Sequence, residues 1–290
     1  MKKLKIGIPK GSLEESTIAL FKSAGFEILR HSRSYKPTCD DEELDVLLIR
    51  PQEMAKYIVD GIVDCGLAGY DWILESGLKV KEICELCYSK SSFQPARWVL
   101  AVPMNSPIRK LSDLKGKRIA TELVNVLKRY LKKNKVNAEV DFSWGATETK
   151  AGTLADAIFE LTETGESLKR NGLRIIDEVL VSTTRFIASY KAYKDRWKRE
   201  KMENIALLLR AALRAKDMVG LKMNVPRKKL LRILKLLPAL KKPTISQLAD
   251  ENWIALEVII PEKQSRDLIP ILRKAGARGI IEYPLNKVVE

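Results

Sequence analysis

The sequence predicts an α/β protein: two lobes of sheet and helix, followed by a small domain of its own at the C-terminal end. Three observations predict it. Over the first two hundred or so residues, short β-branched runs alternate with amphipathic stretches, the pattern of a parallel sheet covered by helices. That alternation comes in two groups, each long enough to enclose a core. From Asp217 onward the pattern changes to βαββαβ over about seventy residues, the ferredoxin-like order. At 290 residues the chain has room for two or three domains.

Taken in order, strands are expected at 5–8, 45–49, 63–68 and 83–88, with helices over 13–24, 52–60 and 70–76. These make the first α/β group. The second has strands at 98–103, 118–121, 139–143 and 155–161 and a helix over 124–133. Residues 173–182 read as a strand and 193–215 as a long helix carrying Ile205, Leu208, Leu209, Ala212 and Leu213 on one stripe. Both are expected to return the chain to the first lobe. The last group reads strand 219–225, helix 227–236, strands 244–248 and 253–260, helix 262–275 and strand 280–284. Pro226, Pro238, Pro243, Pro261 and Gly276 fall at its junctions, where chain breakers belong. The expected division is lobe I from 1–93 and 178–215, lobe II from 94–177, and a third domain from 217–290.

Composition narrows the function classes. With 46% hydrophobic, 31% charged and 7% aromatic residues, the chain reads as soluble and globular, neither disordered nor membrane-embedded. No apolar run approaches the roughly 20 residues that span a bilayer, and Pro9 and Gly11 interrupt the start where a signal peptide needs its apolar stretch. A cytoplasmic location and no membrane partner are expected. Cys39, Cys65, Cys84 and Cys87 are too scattered for a disulfide scaffold, and the Cys84-x-x-Cys87 pair has no second pair near it to complete a zinc site. The net charge of +15 sits almost wholly between Arg185 and Lys242, where 18 Lys or Arg face 4 Asp or Glu. The remainder is near neutral and no nucleic-acid motif accompanies the basic stretch, so no nucleic-acid partner is expected.

The segment from Asp156 to Leu168 (DAIFELTETGESL) carries the most chemistry. An apolar strand leads into Thr162-Glu163-Thr164-Gly165, and a short helix follows, stopped at Asn171-Gly172. Strand, loop and helix start in that order form an anion cradle. Successive backbone N–H groups point into the turn, the helix dipole adds to them, and Thr162, Thr164 and Ser167 supply hydroxyls. Gly165 lets a phosphate approach the backbone. Glu160, just before the loop, is placed to accept hydrogen bonds from ribose hydroxyls. The same residues also read as an ordinary capped helix with Thr164 as N-cap. Three further loops stand at strand ends, where a sheet of this kind presents ligand groups: Pro9-Lys10-Gly11-Ser12-Leu13, Arg50-Pro51, and the stretch from Gly66 to Asp71. Together they suggest a site between the lobes.

The run from Phe142 to Lys150 (FSWGATETK), followed by Leu154 to Leu168, resembles the phosphoribosyl pyrophosphate signature of the ATP phosphoribosyltransferases. The stretches 182–187, 8–13, Arg50-Pro51 and 64–71 are similar to that family too, and 243–248 with 281–287 resemble the regulatory module of its long form. The second lobe keeps Ala120, Thr121, Glu122 and Asn125 but has Leu123-Val124 where the family often has Tyr-Pro. The resemblance implies a two-lobed, periplasmic-binding-protein-like catalytic core and a ferredoxin-like regulatory domain. It also implies transfer of a phosphoribosyl group to N1 of ATP with Mg held mainly by substrate phosphates, feedback inhibition by L-histidine, and homo-oligomers from dimer to hexamer.

On that basis Asp156, Thr162, Glu163, Thr164, Gly165, Glu166 and Ser167 are the expected phosphoribosyl pyrophosphate ligands, with Glu160, Lys10 and Arg50 as the catalytic groups. Lys10, Gly11, Arg50, Asp71, Glu122 and Asn125 are expected at ATP, and Asn224, Leu240, Thr244, Leu248 and Ala277 at histidine. The rival is a two-lobed cytosolic small-molecule sensor, which shares the cleft but needs no phosphate cradle with an acid beside it.

Overall fold

The structure is a computed structural model that describes residues 2–31, 34–88, 95–238 and 243–289. In the first lobe the strands are β1 (Leu4–Pro9), the short β2 (Ile28–Leu29) and β3 (Thr38–Cys39), β4 (Leu44–Ile49), β5 (Cys65–Gly69) and β6 (Lys81–Leu86). Between them lie α1 (Glu14–Ala24), α2 (Pro51–Val59) and α3 (Tyr70–Ser76). The second lobe holds β7 (Ala96–Pro103), β8 (Arg118–Thr121), α4 (Val124–Lys133), β9 (Glu139–Phe142), β10 (Ala157–Thr162), α5 (Glu166–Arg170) and β11 (Leu173–Ser182). The chain then re-enters the first lobe through β12 (Thr184–Ala188) and continues as α6 (Tyr190–Lys194) and α7 (Arg196–Ala215).

Residues 1–22 and 26–206 form one compact unit, and residues 23–25 with 207–290 a second, so the boundary falls inside α7 and not after it. The two sheets of the first unit run β4-β1-β5-β12-β6 and β11-β7-β10-β8-β9. Both are mixed, not purely parallel. β12 runs antiparallel to β5 and β6, and β7 antiparallel to β10 and β11. These are the strands on which the chain first enters each lobe from the other, so each arrives in the opposite sense to the strands already there. The strand expected to lead home, β11, instead pairs along its length with β7 in lobe II. The return falls to β12, a five-residue strand the sequence reading left without an element.

Helix ends follow local chemistry. Pro51 opens α2 at a position where its missing N–H costs nothing, and α3 ends on Gly77 at φ +65°, a left-handed stop that glycine allows. The single helix expected over 193–215 breaks at Asp195, whose backbone is extended and whose carboxylate accepts the Lys198 N–H at 2.9 Å. An aspartate that caps a new helix competes with continuing the old one. Lobe II packs Trp98, Leu100, Phe159, Leu127 and Leu131 between its sheet and α4. The helix α3 contributes to both cores, with Trp72 and Leu74 against lobe II and Ile73 against lobe I.

The second unit contains β13 (Met218–Pro226), α8 (Leu230–Leu234) after a 3-10 turn at Arg227–Lys229, β14 (Thr244–Gln247), β15 (Trp253–Pro261), α9 (Glu262–Ala275) and β16 (Arg278–Pro284). Its antiparallel sheet is ordered β14-β15-β13-β16, the ferredoxin-like arrangement expected. Alternate residues of β13 (Val219, Leu221, Met223, Val225) enter the core beneath the helices, and Lys222 and Asn224 face the other way. No helix among the described residues is long and apolar enough to cross a membrane.

Candidate active site

At the end of β10, Thr162 is buried and its hydroxyl oxygen accepts the Gly165 N–H at 2.8 Å, closing the turn of Thr162 to Gly165. Gly165 stands at φ +85°, a conformation that side chains disfavour, and it caps α5 without any side-chain hydrogen bond. Thr164 is therefore not the N-cap, although its hydroxyl oxygen meets the Glu166 N–H at 3.4 Å. Ser167 donates to Glu148 at 3.2 Å. The first-turn N–H groups of α5 have no partner within the helix, the arrangement that favours an anion at a helix start.

Glu160 lies two residues before Thr162 on the same face of the strand and is half-buried. Its Oε1 accepts the Leu161 N–H at 2.9 Å. Burial is the main cause that pushes its carboxyl up from the usual range to about 7, with the neighbouring Glu148 and Glu122 carboxylates adding to the rise. Glu122 accepts the Gly145 N–H at 3.2 Å.

Across the cleft, Lys10 ends β1 beyond Pro9, with its ammonium 3.7 Å from the centroid of the Tyr35 ring. A hydrogen bond and the charge of Lys10 hold the Tyr35 phenol below its ordinary value, and the charge of Arg50 adds to this, so both cations attend one aromatic side chain. Gly11, at φ +107°, donates its N–H to buried Glu14 at 3.3 Å, and Glu14 pairs with Arg30 at 2.9 Å. A cavity of about 210 Å³ opens between the lobes. It is lined by Ser12, Pro51 and Gly69 from the first lobe and by Leu161 and Glu163 from the second.

Several expected ligands are engaged by the protein itself. Asp71 is buried, accepts the Trp98 indole N–H at 2.7 Å and the Trp72 N–H at 3.0 Å, and donates its own N–H to Ser182 at 3.1 Å. Burial pushes its carboxyl above the ordinary range. The carboxylate lines the cavity but joins α3 of one lobe to β7 of the other. A side chain at Gly69 would collide with it.

Asn125 donates its amide to the Glu75 carbonyl at 3.2 Å, while the Glu75 carboxylate receives the Asn125 and Val126 N–H groups at 2.9 Å each. That caps α4 from outside. Asp156 lies at the opposite end of β10 from the turn, roughly 20 Å along the strand, where it accepts the Arg118 N–H at 2.9 Å with Lys117 nearby at 3.7 Å. Its expected role as a phosphoribosyl pyrophosphate ligand is corrected: the length of the strand keeps it from the cradle.

In the second unit, Asn224 and Thr244 stand exposed on the outer face of the sheet, where they pair with Ala255 and Glu257 of β15, and Leu248, four positions beyond Thr244, is half-buried. Ala277 does not join them. It is fully buried in the core under the helices, with Leu272, Ile233 and Met223, so its methyl group faces away from any pocket on that surface. Leu240 lies outside the described residues. Cys84 is buried in β6 and Cys87 half-buried after it. The sequence reading missed Tyr35, Glu14 and Glu75. Tyr35 and Glu75 act through partners far away in sequence, and Glu14 joins its near neighbour Gly11 to the more distant Arg30, which no local pattern reveals.

Comparison with known proteins joins these features. Residues 50–211 match a family described as HisG: ATP phosphoribosyltransferase, and residues 215–287 match the HisG C-terminal domain. A protein named ATP phosphoribosyltransferase from Thermodesulfovibrio yellowstonii is 58% identical over 288 residues, covering 99% of each chain. One of the same name from Chlorobium phaeobacteroides is 56% identical over 287 residues, covering 99% of this chain and 98% of that one. Among solved structures, a chain of the ATP phosphoribosyl transferase (HisG:HisZ) complex from Thermotoga maritima superposes with a TM-score of 0.61 at 28% identity, covering 71% of this chain and 98% of that one.

Proposed function

The chain belongs to the ATP phosphoribosyltransferase family and is accordingly a pentosyltransferase. From that premise we propose that it joins ATP to phosphoribosyl pyrophosphate, forming N1-(5-phosphoribosyl)-ATP and pyrophosphate with inversion at the anomeric carbon, the first step of histidine biosynthesis. The observation that carries this reading is the half-buried Glu160 carboxyl two residues before the left-handed Gly165 turn. A ribose 5-phosphate seated on the turn brings its hydroxyls toward that carboxylate.

Adenine N1 carries a free lone pair, so attack needs no base. The demand is for positioning and for negative charge beside an oxocarbenium-like ribose. Glu160 supplies the charge. The backbone of Thr162 to Ser167 holds the phosphate, and Lys10 and Arg50 meet the phosphates of ATP and the departing pyrophosphate. Glu122 and Glu163 stand at the edges of the same site, whereas Asp71, Asn125 and Gly11 act by shaping it.

Among the described residues no group of three His, Cys, Asp or Glu is arranged to hold a metal alone. Glu163 in the cavity fits the usual magnesium environment, one carboxylate beside substrate phosphates. A magnesium ion held by Glu163 and the substrate phosphates would neutralise charge on the pyrophosphate. L-Histidine acts as inhibitor through the second unit, the chains assemble as dimers and hexamers, and the enzyme works in the cytoplasm.

The test is pyrophosphate release with ATP, phosphoribosyl pyrophosphate and magnesium present, omitting each in turn. Release that persists without phosphoribosyl pyrophosphate, or its absence from the complete mixture while nucleotide still binds, overturns the reading, and the second result supports a sensor instead.

A further inference from the structure

Tyr88 lies two residues past the end of β6, where the chain leaves lobe I, and Thr184 opens β12, where the chain returns. The Thr184 hydroxyl donates to the Tyr88 carbonyl at 3.4 Å, so the two crossings meet at this tyrosine. Its side chain points to a third element. The Tyr88 and Thr17 hydroxyls stand 2.8 Å apart, with the residues at 4% and 0% exposure, a depth at which a hydroxyl keeps a protein partner. Counting protons fixes the direction of the bond. Thr17 has one hydroxyl proton and gives it to the Leu13 carbonyl at 2.6 Å, so the proton between the two hydroxyls belongs to Tyr88. Burial pushes the Tyr88 phenol above its ordinary value, which keeps that proton in place.

Leu13 ends the loop that begins at Lys10, and the loop is held along its whole length. At one end the Lys10 N–H donates to the Ile49 carbonyl at 2.8 Å. In the middle the Glu14 N–H closes a turn on the Gly11 carbonyl at 3.0 Å, and the Gly11 N–H meets the Glu14 carboxylate at 3.3 Å. At the other end two hydroxyls reach the Leu13 carbonyl, Ser16 at 3.1 Å and Thr17, and the second continues to Tyr88. Ser12, Leu13, Tyr88 and Thr184 all line the cavity between the lobes. We propose that Tyr88 is a positioning residue for the nucleotide site: through Thr17 it fixes the loop from Lys10 to Leu13, and with it the Lys10 ammonium that meets phosphate. The proposal rests on the reading of Lys10 given above. One ammonium on a short loop recognises a phosphate only where the loop is held to a fraction of an ångström, and buried contacts behind the loop supply that restraint. Tyr88 and Thr17 act through the loop, because each hydroxyl is already engaged within the protein.

The experiment measures binding of ATP and of ribose 5-phosphate separately, by calorimetry on the full-length protein below the melting transition of every variant. ATP reports on the Lys10 loop, and ribose 5-phosphate on the cradle of lobe II. Tyr88→Phe removes one oxygen and keeps the ring, while Thr17→Val removes the hydroxyl and keeps the shape. Each is expected to weaken ATP by about threefold to tenfold, the size of one buried hydrogen bond, and to leave ribose 5-phosphate at the parent's affinity. The double variant should bind ATP no more weakly than the worse single one, because both changes break one line, and Thr17→Ser should restore the parent's affinity. Parent-like ATP binding in folded Tyr88→Phe and Thr17→Val overturns the proposal while leaving Lys10 in its role. Equal losses for the two ligands also overturn it, since the cause is then a loosened fold and not a displaced loop. If Lys10→Met binds ATP as the parent does, the reading of Lys10 beneath the proposal fails, and the proposal with it.

Discussion

Glu160 is the residue whose chemistry is most exposed to pH. With its carboxyl pushed up to about 7, the unliganded protein is poised between two protonation states near neutrality. If the ionised form holds the ribose, kcat/KM for phosphoribosyl pyrophosphate rises through about pH 7 and flattens above it. Glu160→Gln should erase that limb and lower kcat by at least about tenfold, roughly 1.4 kcal/mol of transition-state stabilisation. Stability carries the opposite sign. A carboxyl whose folded value lies above its unfolded one favours folding when protonated, and that contribution is lost as pH rises from about 4.5 through about 7. The melting temperature of Glu160→Gln relative to the parent should climb across that window and level off above it; a flat difference would show the carboxyl is not perturbed. Gly165 offers a second test. Its φ of +85° strains any side chain, but aspartate is among the few that visit this region, and a Cβ there meets only the Ile175 side chain at 3.7 Å. Gly165→Asp should therefore fold yet lose affinity for phosphoribosyl pyrophosphate, because a carboxylate would stand where the phosphate binds. Undiminished affinity, read by calorimetry, would move the cradle elsewhere.

Among the elements, α3 does more than its seven residues suggest. It sends Ile73 into one lobe's core and Trp72 and Leu74 into the other's, and it joins the lobes through Asp71 and Glu75. The Asp71 to Trp98 bond is a buried hydrogen bond that joins the two lobes. Trp98→Phe keeps an aromatic ring but removes the N–H, leaving a buried carboxylate short of a donor at a cost of about 1–3 kcal/mol. For a unit of this size the melting temperature should fall by on the order of 5 °C. An unchanged value would show that water replaces the indole. The helices 70–76, 124–133 and 262–275 were legible to the residue because each has a clean apolar stripe or a capping residue at its end. β12 was not, since five residues set between the end of β11 and the start of α6 are too few to show a period of their own. The long helix expected across 193–215 failed at Asp195 because capping chemistry outweighed helix propensity.

At the scale of the whole molecule, the second unit has a sheet face on which Asn224 and Thr244 stand exposed. Histidine bound there should inhibit without competing simply with ATP, changing activity several-fold or more, as coupling energies of about 1 to 3 kcal/mol allow. Asn224→Ala should weaken that response with KM for both substrates unchanged, and strict competition with ATP would refute it. Ala277→Trp should destabilise the unit by about 1–3 kcal/mol or more, because an indole would be forced into the core beneath the helices. What the sequence determined by itself was whatever depends on near neighbours: the alternation that makes two α/β lobes, the βαββαβ order, and the strand, turn and helix start of the phosphate cradle. Tertiary structure decided what depends on residues brought together from afar. It sent β11 to lobe II, placed Asp156 at the far end of its strand, enclosed Ala277, and bound Asp71 and Asn125 to partners 27 and 50 positions away. A side chain's type and spacing specify what it is able to bind, but which partner reaches it first depends on how the lobes pack, and that is a property of the whole fold.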